Sequence, residues 1–154
     1  MYAAILAAHS LFRYVVLAAG IAAIAFSARG WREKRPFRPA DARAGFIFTL
    51  CLDIQILVGL LLYFVFSPIT KIALHNFGAA MKDSTLRFWA VEHAFSMLVA
   101  LTVAHVTRVL IKRTADARRK HRRAFIGFTL AMIAIFVGIP WPFLKHGRAL
   151  LPGM

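Results

Sequence analysis

Two histidines, His9 and His93, lie inside long apolar runs, and His93 has Glu92 before it and Met97 one turn after it. Imidazole nitrogen and thioether sulfur are ligands for transition-metal ions. An ionisable side chain in the hydrocarbon of a bilayer costs roughly 2.5–3.5 kcal/mol on insertion scales. Such residues therefore turn to a bundle interior, a cavity or a bound group, or sit near enough to an interface to stay hydrated. A lone intramembrane histidine also serves as an ordinary hydrogen-bonding group. The choice between these roles rests on the segments that carry the two rings.

Hydrophobic residues make up 60% of the 154-residue chain against 17% charged, which excludes an ordinary soluble domain of this size. Four apolar runs, at about 3–26, 45–66, 87–108 and 124–143, are each long enough to cross ~30 Å of hydrocarbon as a helix. The expectation is a single transmembrane domain over residues 1–154, all-α, folded as an up-down-up-down four-helix bundle with short connections. The net charge of +14 raises nucleic acid as a partner. The charge is concentrated in two connections, however: six basic residues in 29–43 and eight in 108–123. No nucleic-acid motif accompanies them, and the bilayer is the expected partner. The positive-inside rule puts both connections in the cytoplasm and both termini, with segment 69–86, outside. Pro36 and Pro39 are expected to stop any helix in the first connection, and Pro140-Trp141-Pro142 to anchor the last span at an interface. Cys51 is the sole cysteine, so no internal disulfide forms.

Counted inward from the outer ends of the first and third spans, His9 and His93 both lie ~9 Å deep. These spans are diagonal in an up-down bundle, so both rings can address one central axis, the arrangement a bis-histidine haem requires. The same depth on the second and fourth spans falls at Gly59 and Gly138. Those glycines either leave room for porphyrin edges or reflect ordinary small-residue helix packing. His9, Arg13, Val16, Gly20, Ala23 and Ser27 share one face of the first span, and His93, Met97, Ala100 and Ala104 one face of the third. Arg13 and Asp53 both fall near the midplane, and a structural ion pair between them is expected. Gln55 lies ~200° around its helix from Asp53, so only one of the two faces the interior. His105 lies near the inner end, away from His93 and without an evident partner.

The stretches HSLFRY (9–14), MKDSTLRFWAVEHAFSM (81–97), DARRKHRR (116–123) and IPWPF (139–143) resemble a family of short four-span bacterial membrane proteins labelled "cytochrome B". The resemblance covers nearly the whole chain. It implies a b-type haem, one per chain, in a multi-pass protein of the bacterial inner membrane, with His9 and His93 as the iron ligands. Respiratory cytochromes b use two histidine pairs, and this chain offers one.

The leading expectation is thus a haem b electron-transfer protein, a small subunit of, or partner to, a respiratory or photosynthetic membrane complex. It is an electron-transfer component, not a stand-alone enzyme. Lys82, Arg87 and Lys71 are then candidates to pair with haem propionates, and Met97 is the fallback ligand. Two other readings stand beside it: a cofactor-free accessory subunit of a multisubunit complex or oligomer, and a copper-handling protein using His9, His93, Met97 and Met81.

Overall fold

The computed structural model describes residues 1–149. Four helices, Tyr2–Arg32, Pro39–Phe66, Ser84–Lys112 and Ala117–Gly138, are long and apolar enough to cross a membrane. The first is α1. The second consists of α2 (Pro39–Leu61) and a wide π-helical turn at Leu62–Phe66. Short helices α3 (Pro68–His75) and α4 (Phe77–Ala80) follow. Helix α5 (Ser84–Arg87) runs through a second π-helical turn, Phe88–Glu92, into α6 (His93–Lys112), and α7 is Ala117–Gly138.

Helix α1 packs along both α2 and α7, α6 packs most extensively on α7, and α2 meets α6 over a shorter stretch. The order around the bundle is therefore α1, α2, α6, α7, with α1 opposite α6 and α2 opposite α7. This is the up-down-up-down arrangement expected from short connections.

Local chemistry moves several helix ends. Pro39 does not stop a helix; it opens α2 at the first helical position, where its missing N–H is no loss. Segment 69–86 is largely helical, because Ser67, Asn76 and Asp83 each cap a helix start by accepting backbone N–H groups. The basic connection 108–123 is mostly helix as well, broken only between Lys112 and Ala117, with Asp116 accepting from the Arg119 N–H at 2.7 Å.

The interior is built from the faces read in the sequence. Val16, Gly20, Ala23 and Ser27 of α1 are buried, as are Ala100 and Ala104 of α6. Between them, Phe48 of α2 and Phe128 of α7 meet edge to face across the diagonal, ring centroids 5.6 Å apart. Gly127 lets α7 approach α6 closely: a Cβ there would run into Thr107.

The end of the bundle that carries the two basic connections holds an ion pair. Helix α1 ends with the Lys34 N–H donating to Trp31 O and the Arg35 N–H to Gly30 O, a reversal that puts Lys34 at φ 54°. The turn delivers Arg35 to Asp41, which it grips with two bonds of 2.6 and 2.7 Å while the Asp41 side chain is 1% exposed. Hydrogen bonding to that carboxylate raises the Arg35 guanidinium above its already high ordinary value. At the opposite end, residues 139–149 fold back, the Arg148 N–H donating to Pro140 O at 3.1 Å.

Candidate haem site

Two wide turns shape the half of the bundle that holds the described chain ends. A π-helical turn leaves backbone carbonyls that an α-helix would have bonded. Here side-chain hydroxyls take them up: Thr70 donates to Tyr63 O at 2.7 Å, and Tyr63 donates to Ala90 O at 2.7 Å. The second wide turn ends at Glu92, immediately before His93.

The structure brings His9 and His93 together, with ring centroids 6.4 Å apart and planes at 73°. The His93 Nδ1–H donates to Gly138 O at 2.7 Å, which leaves Nε2 as the free nitrogen of the neutral ring. His9 is held less firmly. Its Nε2 is 3.4 Å from the Gln55 amide nitrogen, and its buried Nδ1 has no protein partner. Gln55 is buried and donates to the His9 backbone carbonyl at 2.9 Å; its own Oε1 is unpartnered.

Three cavities border both rings. One of about 60 Å³ lies on the α1–α7 side, reaching Arg13, Trp89 and Ile139. A second of about 60 Å³ lies toward the end that holds the tail, reaching Tyr2, Ser67 and Thr70. The third, about 230 Å³, is an apolar cleft between α2 and α6, lined by residues including Ile56, Leu60, Phe64 and Leu98. Both imidazoles therefore border open space on more than one side.

The glycines stand beside these rings. A Cβ on Gly59 would sit 3.1 Å from His9 Cε1, and one on Gly138 would meet Met97 Cε and, at 3.0 Å, Ser96 Cβ. Gly59 is thus spaced for the His9 ring itself, and Gly138 for the Met97 methyl. Met97 borders the first and third cavities.

Other expected partners lie elsewhere. Asp53 does not pair with Arg13: its carboxylate accepts from His105 Nε2 at 2.7 Å. The reason is azimuth. Gln55 takes the face of α2 that meets α1, so Asp53, far around the helix, is turned to α6. His105 accordingly does have a partner. Arg13 lies over the Tyr14 ring at 5.0 Å. Arg87 bonds Glu92 at 2.7 Å and Met81 O at 3.1 Å, and neither it nor Lys82 borders the three cavities.

The folded-back tail supplies groups that sequence reasoning did not assign. His146 stacks on Phe88 at 3.5 Å, and Arg148 lies over Trp89 at 4.2 Å while bordering two of the cavities. Nothing in the residue types of the tail reports a chain reversal.

No curated protein and no solved structure matches this chain. The sequence pattern described as cytochrome b/b6/petB matches residues 42–145, from the start of α2 to the tail, including His93 but not His9. With four membrane-length apolar helices and more than half its length matched, the chain belongs to the cytochrome b family of haem-binding electron-transport membrane proteins.

Proposed function

We propose that His9 and His93 would hold one b-type haem per chain through their ring nitrogens, and that the protein carries electrons near the outer face of a bacterial inner membrane. The observation that supports this most is the spacing of the rings. A metal bonded at about 2 Å to one nitrogen of each imidazole sets their centroids about 6 Å apart, and the two rings stand at 6.4 Å. The unpartnered nitrogen of His9 and the cavities on several sides of the ring pair fit the same group. When bound, the haem supplies one-electron transfer.

The protein's own residues orient and enclose. Gly138 O fixes the tautomer of His93 so that Nε2 faces the site, the usual outer-shell role of a carbonyl behind a ligating histidine. Gln55 anchors the backbone of α1 at His9. Phe88 and Trp89 cover His93, their ring centroids 5.9 and 5.7 Å from it. Both basic connections lie at one end of the bundle and both described chain ends at the other, which suits a cytoplasmic inner end. A redox partner or larger membrane complex completes the circuit. In its support, the Asp53–His105 pair has side chains 37% and 45% exposed on the α2–α6 side, where a neighbouring subunit would cover them.

The test is a reduced-minus-oxidised spectrum of the protein purified after expression with haem supplied. Wild type should show sharp low-spin bands, lost in His9→Ala and in His93→Ala and retained in His105→Ala. A wild-type protein that takes up no haem would refute the assignment.

A further inference from the structure

We infer that Arg148, braced by Trp89 and Tyr2, receives the carboxylates of the bound tetrapyrrole, so that the ring lies with its carboxylate edge toward the tail and its hydrocarbon edge toward the α2–α6 cleft. This rests on the haem reading above and adds an orientation and a binding residue to it.

Arg148 borders both of the smaller cavities, and both of these also border His9 and His93. It is half-buried, and no carboxylate is bonded to it among the described residues. Its side chain touches the Trp89 face at 4.2 Å and the Tyr2 hydroxyl at 3.5 Å. A guanidinium stacked on an indole is held in plane, and the N–H groups that Tyr2 does not engage match a carboxylate with two parallel bonds. A half-buried cation without a counter-ion is itself unfavourable, and an incoming anion relieves it.

The other cations are placed differently. Arg87 is engaged by Glu92, and Lys82 does not border these cavities. Arg13 borders the α1–α7 cavity below His9 but is turned onto Tyr14. The remaining cavity, between α2 and α6, is walled by Ile56, Leu60, Phe64 and Leu98 and suits a hydrocarbon edge.

The probes are haem and haem dimethyl ester, whose carboxylates are blocked, each titrated into haem-free full-length protein and followed by absorbance. Wild type should bind haem roughly tenfold or more tightly than the ester, the scale of one charge-assisted pair. Arg148→Gln should remove most of that preference while leaving ester affinity and its low-spin spectrum unchanged, and Arg148→Lys should restore part of it. Lys145→Gln, which alters a cation on the same segment, should keep the wild-type ratio. An Arg148→Gln protein that retains the preference, or that loses haem and ester equally, would overturn the inference. A wild type that binds neither compound overturns the haem reading itself.

Discussion

The Tyr63 hydroxyl donates to the Ala90 carbonyl at 2.7 Å and so ties one wide helical turn to the other across the α2–α6 side of the bundle. The acceptor belongs to the turn that immediately precedes His93, and the donor's own carbonyl is capped by Thr70. Tyr63→Phe leaves a buried carbonyl without a donor, which costs about 1–2 kcal/mol. Thermal unfolding in detergent should show that loss, with faster amide exchange over 88–92. Unchanged exchange there would mean that the two turns are independent.

Gly59 is spaced for an imidazole. A Cβ there begins 3.1 Å from His9 Cε1, and a larger side chain also enters the α2–α6 cleft. Overpacking of this kind costs about 1–3 kcal/mol. Gly59→Leu should therefore fold in the membrane but purify with a markedly lower haem-to-protein ratio than wild type. A full complement of haem would show that the cleft is not part of the site.

Asp53 and His105 should be energetically coupled, and Asp53 and Arg13 should not. A double-mutant cycle on Asp53→Asn and His105→Gln is expected to give a coupling of about 1–2 kcal/mol. The parallel cycle with Arg13→Gln should give none beyond error. The reverse ranking would restore the midplane pair expected from depth counting.

Asp83 caps the helix that leads to His93. Hydrogen bonds from the backbone N–H groups of Leu86 and Thr85 hold its carboxyl below the usual range. A depressed folded pKa contributes stability above the unfolded value, lost as pH falls through the folded one. The protection of the Thr85 and Leu86 amides, taken relative to the intrinsic exchange rate at each pH, should fall on acidification in wild type. In Asp83→Asn, which keeps the acceptor but does not titrate, it should show no such step.

Sidedness can be read chemically. With Cys51→Ala as background, a cysteine at Ser84 should react with a reagent confined to the outside, and one at Ala115 should not. Modification at 115 would invert the topology.

What could be read without coordinates was whatever depends on counting along one helix. The rise per residue is constant, so the common depth of His9 and His93 followed from their distances to the ends of their spans. The inward faces of Val16, Ala23, Ala100 and Ala104 followed from helical spacing in the same way. Pairings between helices did not follow, because they need the angle at which each helix presents its side chains. Asp53 and Gln55 show this: the sequence required them to face apart, but only the packing of α2 between α1 and α6 gave Gln55 to His9 and Asp53 to His105. The two wide turns shift that angle partway along a helix and leave no residue signature. The return of Arg148 to Trp89 depends on a chain reversal after α7 that brings the tail back to residues more than fifty positions away, and only tertiary packing decides it.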